Sequence, residues 1–208
     1  MRLVTNPFIR LTQLSFADFL AQYGESDRYE LIDGELFDLE PTGPHEEIAA
    51  GIGQWLNCEI VQQRLNYFIP HRCLIKPLTV GTGFRPDVIV LDREALAQEP
   101  LWNDQPIVTL GRTIKFVAEV VSSNWQNDYA RKFEDYALLG IPEYWIADYQ
   151  GLGGELFIGR PKQPTLTLCV LSQDGRYERQ ILRGDQLIVS SVFPGLNLTA
   201  AAVLRTAR

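Results

Sequence analysis

The sequence predicts an α/β protein with a mixed β-sheet core flanked by helices, an N-terminal helix and hairpin, and a C-terminal β-meander. Three observations carry this. Apolar residues recur at helical spacing over 45–66, a strand–helix–strand alternation occupies the centre, and the last third breaks into short apolar runs punctuated by turn residues. At 208 residues, 46% hydrophobic and 22% charged, the chain fits one domain over 1–208 with a core of its own.

The elements follow in order. Ser15 caps a helix over 16–22, with Asp18 three residues on as the reciprocal partner of a capping box, and Gly24 ends it. Runs over 29–32 and 35–39 flank Asp33-Gly34, a two-residue hairpin turn. After the loop Pro41-Thr42-Gly43-Pro44, the residues Ile48, Ile52, Trp55, Leu56 and Ile60 predict an amphipathic helix over 45–66. Extended segments are expected at 67–69, 73–80 and 84–91, then a loop over 92–112 with one helical turn. A β-branched strand over 114–121 leads to a helix over 126–139, stopped by Gly140 and Pro142. A strand over 144–147 follows. Beyond Gly151-Leu152-Gly153-Gly154 come short strands at 156–158, 166–171, 177–182 and 187–189, and a closing helix over 200–206.

Composition limits the function. Residues Met1 to Arg10 lack the unbroken apolar stretch of a leader, and no window reaches the length needed to cross a bilayer. Cys58, Cys73 and Cys169 are odd in number and set among apolar neighbours, without zinc-like spacing, which predicts buried thiols in a cytoplasmic protein. The net charge of −7, with no runs of Lys or Arg, weighs against tight unassisted binding to nucleic acid but leaves room for a local basic groove.

Two carboxylates stand where a simple core would not place them. Asp87 opens the run Val88-Ile89-Val90, and Glu119 lies inside Phe116-Val117-Ala118-Glu119-Val120-Val121. Strand alternation puts Glu119 among hydrophobes on either face, where a carboxylate takes up a proton, pairs with a cation or binds a metal. A structural ion pair with an arginine is the alternative. Lys132 shares a helix face with Tyr129, Phe133 and Tyr136. It either reaches an anion from that face or makes a surface pair with Asp128 four residues earlier. Together Asp87, Glu119 and Lys132 suit metal-assisted phosphodiester cleavage: two oxygen ligands for a hard cation, Mg²⁺ first, and a positive charge where negative charge grows.

Longer stretches carry a resemblance. Tyr29-Glu30-Leu31-Ile32-Asp33-Gly34-Glu35-Leu36, Pro44-His45, Arg85-Pro86-Asp87-Val88, Ala118-Glu119-Val120-Val121-Ser122, Asp128, Lys132, Tyr136, Gly140-Ile141-Pro142-Glu143-Tyr144-Trp145 and Phe193-Pro194-Gly195-Leu196 span nearly the whole chain. In these the chain resembles the PD-(D/E)XK, or restriction endonuclease-like, superfamily, and within it the restriction-endonuclease-like family once catalogued as a domain of unknown function. The resemblance implies that superfamily's fold and a metal-dependent endonuclease acting on DNA. Asp87, Glu119 and Lys132 would be its catalytic residues, and Asp87, Glu119 and the carbonyl of Val120 would hold Mg²⁺ or Mn²⁺. Glu30 and His45 are possible auxiliaries. In the other reading Glu30 is an exposed strand residue and His45 merely starts a helix. Two departures stand out: Val121 occupies the superfamily's usual lysine slot, with Lys132 moved to the following helix, and Ser122-Ser123 replaces Ser-Pro. The rival reading is a non-catalytic nucleic-acid or protein-binding module, RNA is a second substrate class, and a homodimer through the late meander is expected.

Overall fold

The computed structural model describes residues 13–205. The expected lack of a leader in Met1 to Arg10, and the end of the closing helix at Thr206, lie outside them. Helix α1 (Phe16–Tyr23) starts at the expected capping box, Ser15 accepting from the Asp18 N–H and Asp18 reaching back to Ser15. Strands β1 (Tyr29–Ile32) and β2 (Glu35–Asp38) form the hairpin. Its turn residues Asp33 and Gly34 both have positive φ, 52° and 82°, as a type I′ turn requires.

Helix α2 (Gly43–Gln62) begins two residues earlier and ends four residues earlier than its periodicity predicts. Arg64 takes a left-handed conformation, and the Leu65 N–H turns back to the Ile60 carbonyl. This is a Schellman-type stop without the glycine that would have announced it. Cys58 departs from expectation too. It lies two positions from buried Leu56, on the outer face of α2, and is exposed, whereas Cys73 and Cys169 are buried with thiols pushed up by desolvation.

Strands β3 (Tyr67–Phe68) and β4 (Leu74–Ile75) replace the longer ones expected. Most of 73–80 is not strand, because Ile75 bridges Phe84 and the chain then turns away. Strand β5 (Val88–Asp92) starts after Pro86, which has no N–H to offer a ladder. The turn α3 (Arg93–Leu96), capped by Asp92, is the helical turn expected in the 92–112 loop, and strand β6 (Ile107–Val108), parallel to β4, interrupts that loop.

Strand β7 (Ile114–Val120), helix α4 (Lys132–Leu139) and strand β8 (Glu143–Asp148) form the predicted central unit, with β7 and β8 parallel. A π-helical turn, Asn127–Arg131, precedes α4. The segment expected as a strand at 156–158 is instead the helical turn α5 (Glu155–Ile158), which seats Phe157 and Ile158 in the core; three apolar residues cannot fix a period. Strands β9 (Thr165–Leu171) and β10 (Tyr177–Leu182) complete the meander. Residues 187–189 form no strand, only a bridge from Leu187 to Thr199. Helix α6 (Ala200–Leu204) follows.

The main sheet runs β10-β9-β8-β7-β5-β3. One face packs on α2 and α6 through Ile52, Phe116, Trp145 and Phe193. The other packs on the π turn, α4 and α5 through Val117, Tyr129, Tyr144 and Ile158. No helix among the described residues is long and apolar enough to cross a membrane.

Glu143, fully buried, ties two of the stretches noted in the sequence. Its carboxylate accepts from Trp145 Nε1 at 2.8 Å, the Ser191 N–H at 2.6 Å and the Ser191 hydroxyl at 2.7 Å, fastening the turn before Phe193 beneath β8. Replacing it strands these donors in a dry interior. Glu143→Ala is expected to lower stability by about 2–4 kcal/mol in urea denaturation. A loss below about 0.5 kcal/mol would contradict this account.

Candidate active site

The sheet topology gathers the site. Because β5 runs antiparallel to β7 and β7 parallel to β8, the residue before β5 and the last residues of β7 share one sheet end. Val88 pairs with Ala118, so Asp87 falls beside Glu119 on the neighbouring strand. Both line a cleft of about 400 Å³, together with Glu30, His45, Arg85, Val120, Asp128 and Lys132.

Lys132 is at its centre. Only 3% exposed, its Nζ lies 3.0 Å from Glu119 Oε2, 3.4 Å from Glu30 Oε2 and 3.4 Å from Asp128 Oδ1. The surface pair with Asp128 is therefore corrected: the pairing exists, but Asp128 is itself buried and both belong to the acidic cluster. Glu30 is 2% exposed and buried with Lys132, not an exposed strand residue, and it also accepts from the Arg85 N–H. Glu119 Oε1 accepts from the Tyr136 hydroxyl at 2.7 Å. Asp87 Oδ2 accepts from the Val120 N–H at 2.6 Å and lies 3.4 Å from His45 Nε2. His45 thus does more than open a helix, and its buried Nδ1 has no hydrogen-bond partner among the described residues.

The π turn sets the lysine's approach. Its i→i−5 bond leaves the Asp128 carbonyl to accept from the Tyr144 hydroxyl at 3.0 Å, while Asp128 itself meets Lys132 at the i, i+4 spacing. Val121, in the slot where the superfamily's lysine usually stands, is a buried core residue, and Lys132 arrives at Glu119 from the helix instead. Asp128 and the Tyr136 hydroxyl were not singled out by sequence as members of the site. The available signal was their spacing with Lys132, four residues apart in each case along one helix.

Three carboxylates contact one ammonium, with Asp87 acting on it from farther off, and the imbalance is electrostatic. Burial pushes Glu119 well above the usual carboxylate range and also raises Glu30. Asp128 is pushed up to about 7, by burial first, with Glu30 and Asp87 adding to it against Lys132. Desolvation opposes the charge on Lys132, but Glu119, Glu30 and Asp128 overcome it and hold its pKa well above that of a free lysine. Burial works against a charged His45 too, yet Asp87 raises its pKa on balance.

The donor set bears on a metal. Among the described residues no three His, Cys, Asp or Glu side chains are grouped as a ready-made ligand set. The residues facing the cleft offer mainly oxygen, from Asp87, which engages the protein through Oδ2 alone, Glu119 and the backbone of Val120, with His45 turned to Asp87 as the one imidazole. Few protein oxygens with room for water suit a hard cation such as Mg²⁺ better than zinc. The carboxylate charge that one lysine leaves unbalanced also fits a dication.

The fold and the cleft define a restriction endonuclease-like α/β protein. A family model described as "Uma2: Putative restriction endonuclease" matches residues 16–201, and the chain belongs to that family. The crystal structure of "a putative nuclease belonging to DUF820" from Anabaena variabilis ATCC 29413 superposes with a TM-score of 0.66 at 18% identity, over 92% of this chain and 97% of the other. At that identity the likeness concerns the fold. No curated protein matches the chain.

The raised carboxylates make stability depend on pH. Folded Asp128 keeps its proton up to about pH 7, whereas an unfolded aspartate loses it near 3.8. The folded state therefore holds more protons in that window, and stability falls as pH rises through it, by at most about 1.4 kcal/mol per pH unit for one proton. Urea midpoints in EDTA are expected to decline across the window, and Asp128→Asn to flatten the decline. Parallel profiles for the two proteins would refute the assignment.

Proposed function

We propose that the protein is a metal-dependent endonuclease that hydrolyses DNA phosphodiester bonds. The observation that carries this reading is Lys132 Nζ, buried 3.0 Å from Glu119 in a cleft shared with Asp87. Asp87, Glu119 and the Val120 carbonyl would hold Mg²⁺ (or Mn²⁺), which when bound would act as a Lewis acid on the phosphoryl oxygens and ease deprotonation of water.

The side chains do the rest. The Val120 N–H fixes Asp87 from the strand side while His45 holds it from α2. The Tyr136 hydroxyl fixes Glu119 Oε1, leaving the carboxylate one orientation. Lys132 orients a water for in-line attack on phosphorus and offsets the negative charge that grows on the phosphoryl oxygens. Glu30 and Asp128 keep the lysine protonated and aimed. The enzyme acts in the cytoplasm as a homodimer, with β10, at the outer edge of the main sheet, as the contact.

The rival, a binding module without activity, finds support in the net charge of −7. Incubating the pure protein with plasmid DNA and Mg²⁺ or Mn²⁺ separates the two. Wild type is expected to nick or linearise the plasmid and Asp87→Ala to leave it intact. RNA substrates run in parallel decide between the nucleic acids. A wild type that binds Mn²⁺ in calorimetry yet cuts nothing would favour the rival.

Lys132→Met isolates the lysine. With the neighbouring positive charge gone, calorimetric Mn²⁺ affinity is expected to be equal or tighter, while cleavage falls by about 10²-fold or more. Wild-type cleavage by this variant would remove Lys132 from the mechanism.

A further inference from the structure

The two banks of the cleft differ in charge. Residues 1–149 contain 12 Lys and Arg against 22 Asp and Glu, whereas 150–208 contain seven against four. The topology brings the basic portion to the site. The end of β8, the start of β9 and the end of β10 share the sheet end at which β7 delivers Glu119. Tyr149, Gln150 and Leu152 line the cleft on the β8–β10 side, and the rest of segment 149–164 and Arg183 continue outward from them along the same sheet end.

That bank is built on a fixed backbone. Asp148, fully buried, accepts the N–H groups of Leu152 and Gly153, each at 2.8 Å. Tyr149, Gln150 and Leu152 line the cleft, and exposed Lys162 donates to the Leu152 carbonyl at 2.8 Å, which places its ammonium at the rim. Arg160 is exposed and pairs with Glu155. Arg183 is held by the Ile158 carbonyl and by Thr165 Oγ1 at 3.1 Å. Counting Glu155 and Asp185, this bank carries three cations against two acids. Opposite, the hairpin and the start of α2 present Asp38 and Glu40, both bound to Arg28, and Glu46: three acids against one cation. Lys162 has no carboxylate partner among the described residues, and the exposed Arg160–Glu155 pair is of the kind a phosphate displaces at little cost.

We infer that segment 149–164 is the platform for the nucleic-acid backbone, with Lys162 and Arg160 contacting DNA phosphates that flank the cleft, while the hairpin bank repels the strand and fixes the side from which it enters. The inference rests on the reading of the cleft as a nuclease site. It also reconciles an acidic chain with a polyanionic substrate, since only one bank needs to be basic.

The test is the salt dependence of binding to a short labelled DNA duplex, measured by anisotropy with Ca²⁺ in place of Mg²⁺. Each phosphate contact adds about 0.9 to the slope of log K against log salt. Arg160→Ala/Lys162→Ala should lower the slope by about two, and Lys162→Glu alone, an equal change in charge, should weaken binding to a similar degree at low salt. Arg93→Ala/Arg112→Ala, which removes the same charge from the opposite end of the sheet, should leave the slope as in wild type. Melting curves check that the exposed substitutions leave the fold intact. An unchanged slope in the platform variant, an equal drop in the opposite-end variant, or no binding by wild type at low salt would each overturn the inference. Cleavage of the same duplex with Mg²⁺ is scored separately. Cleavage with a slope indifferent to Arg160 and Lys162 rejects the platform and keeps the endonuclease. A platform-dependent slope without cleavage under Mg²⁺ or Mn²⁺ does the reverse.

Discussion

An ammonium buried among carboxylates sets the terms for the structure around it. Taking such charges out of water costs several kcal/mol for each ion, and the cost is recovered only when the partners sit at hydrogen-bonding distance. The partners come from separate parts of the chain: Glu30 from β1, Glu119 from β7, Asp128 from the π turn. Each must be placed to within a few tenths of an ångström by its own surroundings. Arg85 helps to place β1, donating to the Tyr29 and Gly24 carbonyls. The β5–β7 register sets Asp87 against Glu119, and Phe84 packs edge-on to Tyr136, whose hydroxyl holds Glu119.

How much of this was legible in the sequence varied with the kind of signal. The capping box at Ser15, the Asp33-Gly34 turn, the β-branched run of β7 and Gly140 after α4 are local chemistry, and the structure follows them. The end of α2 was not legible, because Arg64 performs a role normally marked by glycine. Short apolar runs at 73–80, 156–158 and 187–189 were ambiguous, and neighbouring contacts, not propensity, decided their form. At the site, Asp87, Glu119 and Lys132 were visible as carboxylates and a lysine out of keeping with their neighbours. Asp128 was misjudged as superficial because an i, i+4 pair looks the same in sequence whether it faces water or the core.

The acidity of the chain has a local meaning. Of its negative charges, Glu30, Asp87, Glu119 and Asp128 gather at one cleft, where they oppose an anionic ligand until cations intervene. Lys132 supplies one such charge from within. Burial first, and the remaining negative charge after it, raises the proton affinity of Glu30, Glu119 and Asp128, and in the proposed enzyme a dication would take the place of those protons. Metal uptake and proton release then become a single exchange.

The π turn at Asn127–Arg131 behaves like a slipped thread on a screw. It accommodates one more residue than a regular helix would over the same rise, so everything before it is out of phase with α4 by about 100° relative to an unbroken α-helix. Asp128 keeps the i, i+4 spacing to Lys132 that shares a face in any regular helix; what the slip frees is its carbonyl, which accepts from the Tyr144 hydroxyl. Losing one residue from the turn would let the thread close without disturbing the Lys132–Tyr136 face, yet it would return that carbonyl to the helical ladder and away from Tyr144. The anchoring of this helix on β8 therefore depends on a count of residues in the turn as much as on their identities, and two chains with the same acids, lysine and tyrosine could differ in how firmly the helix that carries them is tied to the sheet.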